Sequence, residues 1–487
     1  MSSLSKTRFV AGLQCLRRLW WETHECDAPE LVPDAARDAV FARGHRVGEV
    51  ARTYVPGGVL IDGTPLSREE RVEQTRKAVL AGAGVVYEAS FFEDGVFVAV
   101  DILERVAGKF VLTEVKSTSH FKPEHVPDVA VQLHVLERAG LAVRRAEVMH
   151  LNPKCRYPHL GNLFVRKNVT RQARAWMRGI SKRIQVMQNS LVADLPDVKV
   201  GDHCDTPYEC SFKTRCWPEL PEHHVSTLYR LTKKKMAKLK AAGHETIHDL
   251  PTDFKASGPT ARQVASVRSG KLIADPGLAA ALAAFKEPIA CIDFETIMPA
   301  IPRWNGCRPY MTVPVQFSVH VGTRNDWKHH SWLAEGGDDP RPALADALLA
   351  ACGGARTVLA YSAAFENQRI RELAEAAPRR AGELRALLGR VRDLLPVIRD
   401  HTYHPDFGGS FSLKSVLPVL VPGAGYDDLE VGDGLTAAAN LETLLLNEAS
   451  LAPQERHDLR KALLAYCERD TQAMVQLLDA LRRLATT

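Results

Sequence analysis

The chain has 487 residues, a formal charge of +5 and ten cysteines. That length exceeds the size at which one hydrophobic core usually stops growing, so two or three domains are expected. The composition is that of an ordinary soluble globular protein, and the mild positive charge permits contact with a phosphate backbone but is shared by many proteins that never touch one.

No segment reaches the roughly 18 consecutive apolar residues that span a bilayer. The opening stretch MSSLSKTRFVAGLQCLRR lacks the apolar core and cleavage site of a secretory signal. A cytoplasmic protein without membrane contact is expected, its cysteines free to be thiols or metal ligands.

Region 1–220 opens with helical segments near 13–23 and 34–53 and then turns to strands. VVYEASFFEDGVFVAVDILERVAGKFVLTEVKS carries the turn signals Glu93-Asp94-Gly95 and Ala107-Gly108. Residues 129–139 are helical by apolar spacing and AEVMHLNP reads as a further strand, so the region is α/β. Asp101 follows the apolar run VFVAV, and Glu114-Val115-Lys116 closes the next strand. Glu114 and Lys116 share a face by the period-2 rule, which sets a metal-holding carboxylate beside a lysine able to position or polarise an attacking water. Strand pairs that end in charged residues are also common without any such role.

The order of ARGHRVGEVA, Asp101, the Glu-Val-Lys element and Gln132 in the next helix resembles RecB-like nucleases of the PD-(D/E)xK superfamily. That resemblance implies a PD-(D/E)xK nuclease fold in which His45, Asp101 and Glu114 are metal ligands. It also implies that Lys116 is the catalytic lysine and that Gln132 contacts the site or DNA. The family often has tyrosine four residues after the glutamine, where this chain has Leu136.

HCDTPYECSFKTRC places Cys204, Cys210 and Cys216 at even intervals of six, too wide for the usual Cys-x-x-Cys zinc knuckle. A [4Fe–4S] cluster usually takes four thiolates, and Cys15 is the best fourth candidate. One cysteine before the nuclease core and three behind it is similar to the RecB-like exonucleases of CRISPR loci and to the AddB type of helicase–nuclease, in which they clasp the domain. The last three cysteines of those proteins are spaced differently. Iron–sulfur is the first reading; zinc and unligated thiols remain open.

Residues 221–286 read as a mainly helical linking unit. YRLTKKKMAKLKAAG is a basic helix that stops at Gly243, followed by the breaker Pro251. Its lysines can face nucleic acid, although a solvated helix face is the commoner role of such a run.

Region 287–487 starts with IACIDFET, continues through strands VPVQFSVHVG and TVLAYSAAF, and ends in helices. Asp293 and Glu295 share one face of the first strand and Ile292 and Phe294 take the other. Glu366 opens the helix ENQRIRELAEAA, and Tyr466 and Asp470 lie one helical turn apart. Oxygen ligands from separate elements that converge on cations are what phosphodiester hydrolysis needs. Each acid alone is more often an ordinary surface group, and a tyrosine such as Tyr466 more often packs a core.

The order Asp-x-Glu, Ser-x-x-x-Glu around Phe365, and Tyr-x-x-x-Asp resembles the DEDD family of 3′–5′ exonucleases, in the subtype with tyrosine in the last motif. The resemblance implies a ribonuclease H-like fold, two Mg²⁺ or Mn²⁺ ions on Asp293, Glu295, Glu366 and Asp470, and a Tyr466 that orients the attacking water. The second motif of that family usually has Asn and Asp, where this chain has Ser362 and Glu366. In the loop IPRWNGCRPY, Arg303 and Arg308 can hold phosphates and Trp304 can stack on a base; a surface loop pinned by that one aromatic residue is the equal alternative. The opening IDFETIMPAIPRWNGCRPY is also similar to a prokaryotic domain of unknown function.

These readings together give a metal-dependent nuclease with two sites, acting on DNA in repair or defence. The alternatives are a nucleic-acid-binding scaffold with one or both sites degenerate and an RNA-directed exonuclease. DNA is favoured over RNA because the RecB-like partner favours it; the sequence names no protein partner.

Overall fold

The computed structural model describes residues 3–64, 66–324, 326–447 and 451–486. The chain forms two compact units, Met1–Pro218 with Pro299–Met311, and Glu219–Met298 with Thr312–Thr487.

In the first unit, helices α1 (Lys6–Gln14) and α2 (Leu16–His24) are separated at Cys15, whose extended backbone breaks what reads in the sequence as one helix. Ser5 caps α1 and Asp34 caps α3 (Ala35–Thr53), each side chain accepting from a backbone N–H three residues on. Strands β1 (Val85–Glu93), β2 (Val96–Val106) and β3 (Lys109–Lys116) form an antiparallel meander. Its two turns hold Asp94-Gly95 and Ala107-Gly108 at positive φ, the backbone that two-residue hairpin loops require. Helix α4 (His125–Arg138) then crosses over to β4 (Val143–Leu151), which runs parallel to β3, and β5 (Phe164–Asn168) closes that edge. The short strands Leu4–Ser5 and Val59–Leu60 pair with β2 and β1. Val98, Val100, Leu112, Leu133 and Leu136 are fully buried in the core between this sheet and α4.

The second unit contains α5 (Lys233–Ala241), α6 (Gly258–Ser269) and a five-stranded sheet. Its strands are β6 (Ile289–Ile297), β7 (Val313–Thr323), β8 (Asp326–Leu333), β9 (Thr357–Ala360) and β10 (Val391–Asp393), in the order β8-β7-β6-β9-β10. The first three are antiparallel, and β6, β9 and β10 run parallel to one another. Helix α7 (Pro340–Cys352) lies between β8 and β9 in the chain, and α8 (Ala364–Ala376) follows β9. Beyond β10 come α9 (Leu413–Leu420), α10 (Gly434–Leu446) and the 32-residue α11 (Pro453–Leu484).

Strand β6 is buried on both faces. Ala290, Ile292 and Phe294 pack on Leu344 and Leu348 of α7 and on Ile370 and Leu373 of α8. Ile289 and Cys291 face the other way, into a core shared with Ala473, Met474 and Leu477 of α11. Val225, Ile247 and Val264 belong to that same core, so the helical stretch before β6 is part of the second unit. Among the described residues, no helix is long and apolar enough to cross a membrane.

Candidate metal centres

The alternation of β6 sends Asp293 and Glu295 to the face that α11 covers, and one ligand oxygen from each lies within 4.8 Å of one from Asp470 and of the other. Three carboxylates at that separation repel one another strongly in a medium of reduced dielectric. Burial, followed by Asp470, Glu295 and Glu366, pushes the Asp293 carboxyl well above its ordinary range. Burial and Asp470 push Glu295 up to about 8. Burial raises Asp470 too, although a hydrogen bond from Tyr426 and the charge of Lys414 pull the other way. The Cys467 thiol lies 3.6 Å from Asp293 Oδ2, and burial with the neighbouring carboxylates keeps it protonated.

Glu366 sits in the first turn of α8, only 4% exposed, and its Oε2 has no hydrogen-bond partner among the described residues. Burial and Asp393 push its carboxyl up to about 7. The turn before it is held by Asp393, whose carboxylate accepts from the backbone N–H groups of Ser362, Ala363 and Leu395 at 2.9, 3.0 and 3.0 Å. Ser362 has φ 64°, a left-handed conformation that Gly, Asn and Asp adopt most readily. Asp293, Glu295 and Asp470 form a hard-oxygen donor set, which fits Mg²⁺ or Mn²⁺, and Glu366 is not among the oxygens that lie within 4.8 Å of one another.

Tyr466 is 3% exposed on the same turn of α11 as Asp470, and burial and Asp470 push its phenol up. Lys414, exposed on α9, places its ammonium 5.3 Å from the Tyr466 ring centroid and 5.1 Å from that of Tyr426. Sequence reasoning missed Lys414, Tyr426 and Asp393. The only signal for Lys414 was a lone lysine in SFSLKSVLPVL, and Tyr426 and Asp393 had none.

In the first unit, Asp101 Oδ2 accepts from Val115 N at 2.5 Å. Glu114 is 2% exposed and fully engaged: Lys6 Nζ contacts its two oxygens at 2.8 and 2.9 Å, Lys116 lies 2.9 Å from Oε1, and Gln132 Nε2 donates to Oε2 at 2.7 Å. Lys116 also pairs with Asp128, and Gln132 with the Asp128 carbonyl at 3.0 Å. Burial opposes the Glu114 charge, but Lys116 and Lys6 hold its carboxyl well below the usual range. Burial and Glu114 push Asp101 up to about 8. His45 is exposed on α3, and among the described residues no group of ligand atoms within 4.8 Å joins it to Asp101 and Glu114. Lys6 was not foreseen, because a single lysine before a helix carries no motif.

Cys15, Cys204, Cys210 and Cys216 line one small cavity together with Arg17, Arg18, Trp21 and Phe212. All four are free thiols. Burial raises the Cys210 thiol, and Cys15 and Cys204 are close enough to raise it further. The break at Cys15 between α1 and α2 turns its side chain toward a segment 189 residues later in the chain, as the bond from Gln14 Nε2 to the His203 carbonyl at 2.8 Å also reflects.

Residues 299–311 follow β6 in the chain. They belong to the first unit, where Tyr157 N donates to Cys307 O at 3.0 Å, Gly306 N donates to Tyr157 O at 3.1 Å and the Tyr310 hydroxyl donates to Ser117 O. Trp304 is 6% exposed, so its ring is packed away rather than offered to a base. Arg303 and Arg308 are exposed. Apolar residues at Ala300, Ile301 and Tyr310 pack with Val47, Leu151 and Leu163.

A family model described as "Domain of unknown function (DUF2779)" matches residues 290–412. That span holds Asp293, Glu295 and Glu366 and ends before Lys414, Tyr466 and Asp470. No curated protein matches the chain. Among solved structures, the family B DNA polymerase from the hyperthermophilic archaeon Pyrobaculum calidifontis matches at 15% identity and a TM-score of 0.26, over 41% of this chain and 27% of the polymerase. A likeness at that score carries no assignment, and the match spans about a quarter of the polymerase chain.

Proposed function

We propose that the chain is a metal-dependent nuclease of DNA with two sites, an exonuclease site on a ribonuclease H-like second domain and a RecB-like site on the first. The observation that carries this reading is the convergence of Asp293, Glu295 and Asp470 oxygens within 4.8 Å on a buried strand and its covering helix. The strand order, with three antiparallel strands followed by two parallel ones, supports the ribonuclease H-like assignment.

At the second-domain site, Asp293, Glu295, Glu366 and Asp470 would hold Mg²⁺ or Mn²⁺. Bound there, divalent ions supply charge stabilisation on the phosphoryl group and acidify a water. Tyr466 orients that water at the 3′ end, and Lys414 presents its exposed ammonium to the phosphate backbone. At the first-domain site, Asp101 and Glu114 are the carboxylate ligands, Lys116 positions the nucleophile and Gln132 fixes Glu114. His45 would be the third ligand of that ion.

The four cysteines are assigned to a [4Fe–4S] cluster that staples residues 15 and 204–216. What supports that assignment is that Cys15, Cys204, Cys210 and Cys216 line one small cavity.

The test uses end-labelled single-stranded DNA with Mn²⁺ or Mg²⁺, with and without EDTA, and with 3′-blocked and 5′-blocked strands. Lys116→Ala protein isolates the second-domain activity, which is expected to stop at a 3′ block. Undiminished digestion of the 3′-blocked strand by that variant sinks the polarity. Full activity of the Asp293→Ala/Lys116→Ala protein sinks both sites.

A further inference from the structure

Glu114 has no spare lone pair. A carboxylate offers about four acceptor positions, and here Lys6 and Lys116 share Oε1 while Lys6 and Gln132 share Oε2. An ion bound by Asp101 and Glu114 must therefore displace a donor. Lys116 is tied a second time to Asp128, and Gln132 to the Asp128 carbonyl. Among the described residues, the Lys6 ammonium hydrogen-bonds to Glu114 alone, and its side chain retains 24% exposure. It is the donor that can leave toward solvent. It is also the first residue of α1, fixed by the Ser5 cap behind it and by Phe9 buried in the core a turn later, so its stem stays beside the site after its tip has moved.

Charge points the same way. Asp101, Glu114 and Asp128 face Lys6 and Lys116, and the neighbouring Arg52–Glu88 pair, 3.0 Å apart, compensates itself. The cluster carries one net negative charge when all its groups are ionised. One divalent ion and one phosphodiester bring it to neutrality, whereas a second divalent ion leaves an excess of two positive charges in a partly buried site, where such an excess is costly.

We propose that Lys6 is a further catalytic residue of the first-domain site: it yields its place on Glu114 to a single divalent ion and carries its charge to the scissile phosphate in place of a second metal. This rests on the nuclease reading of Asp101, Glu114 and Lys116.

The experiment is equilibrium dialysis of Mn²⁺ against the full chain carrying Asp293→Ala and Asp470→Ala, which empties the other site, with and without Lys6→Met. Cutting rates at saturating Mn²⁺ and melting curves are measured alongside. One Mn²⁺ is expected at this site when Lys6 is present. Removal of a competing charge a few ångströms away should tighten Mn²⁺ by about tenfold or more, while the rate at saturating Mn²⁺ falls by a similar factor and Lys6→Arg restores part of it. A lysine that merely competes for Glu114 also tightens the ion when removed but leaves the rate at saturating Mn²⁺ unchanged. Mn²⁺ affinity that is unchanged or weaker in Lys6→Met overturns the inference alone. So does a second Mn²⁺ in the Lys6 protein, a count that stands even where Lys6→Met fails to fold. No Mn²⁺ at this site in either protein overturns both the inference and the reading beneath it.

Discussion

Tyr426 donates its phenolic hydrogen to Asp470 Oδ1 at 2.5 Å, from a loop 44 residues earlier in the chain. The bond selects the ionised form of the one acid in the cluster that comes from a helix rather than from β6, and it fixes which oxygen stays free.

Tyr426→Phe should therefore raise the Mn²⁺ concentration for half-maximal exonuclease activity by about tenfold, the worth of a hydrogen bond to a charged group. The rate at saturating Mn²⁺ should stay near wild type, since the ring still packs. A fall in the saturated rate with no change in Mn²⁺ demand would assign Tyr426 to the chemistry instead. Measured with Lys116→Ala protein, the assay reads this site alone.

The acids of the second unit make metal-free stability depend on pH. Glu295 and Glu366 take up protons at about 8 and about 7, against ~4.3 in an unfolded chain. The folded state holds protons that the unfolded state has lost, so stability falls as pH rises through this range. Histidines His125 and His320, depressed to about 4 by burial, act in the opposite sense only below about 6.5. Between about pH 6.5 and 8 the melting temperature without metal should drop, Mn²⁺ should remove most of the drop, and Glu295→Gln should flatten it. A melting temperature that climbs across that interval in the metal-free wild type contradicts the assigned shifts.

Asp393 is expected to act on Glu366 through the backbone. Asp393→Ala removes the acceptor of three N–H groups, including that of Ser362 at its strained φ, and should cost about 3 kcal/mol of stability. Mn²⁺ affinity at the second-domain site should weaken with it, because the first turn of α8 loses its anchor. Urea denaturation and calorimetry check the two effects separately; a variant as stable as wild type would remove Asp393 from this role.

Protein made and handled without oxygen should be brown and contain about four irons, the absorption near ~400 nm coming from thiolate–iron charge transfer. Cys210→Ala or Cys216→Ala should lose the colour. Cys15→Ala should make the first unit more sensitive to protease than the second, since ligation no longer ties chain segments far apart in sequence. Stoichiometric zinc without iron in anaerobic preparations would refute the assignment.

The β6 pair was legible because a period-2 strand leaves its acids on one face whatever lies around it, and Tyr466 with Asp470 was legible from helical spacing. The order of strands and the hairpin turns at Asp94-Gly95 and Ala107-Gly108 could be read for the same local reasons. What stayed hidden depends on contacts remote in sequence. Lys6 meets Glu114 across 108 positions, Tyr426 meets Asp470 across 44, and no local pattern marks either. The break at Cys15 was missed because Leu13 to Thr23 has continuous helical character, and the cavity that Cys15 lines with Cys204, Cys210 and Cys216 leaves no local trace in the sequence. Of the two readings of Trp304, its burial at 6% exposure fits the surface loop pinned by one aromatic residue, a choice that contacts remote in sequence decide.

The chain leaves the second unit after Met298, contributes Pro299–Met311 to the first, and returns at Thr312. Three covalent passages thus join the units, and no single cut yields both of them whole. A fragment ending at Pro218 lacks Ala300, Ile301 and Tyr310, and with them the cover over Val47 and Leu151 and the hydroxyl on the Ser117 carbonyl, next to Lys116. Gene fusion at one junction cannot have exchanged either unit cleanly, and a nick in the 299–311 segment would disable the amino-terminal half from within the carboxy-terminal one.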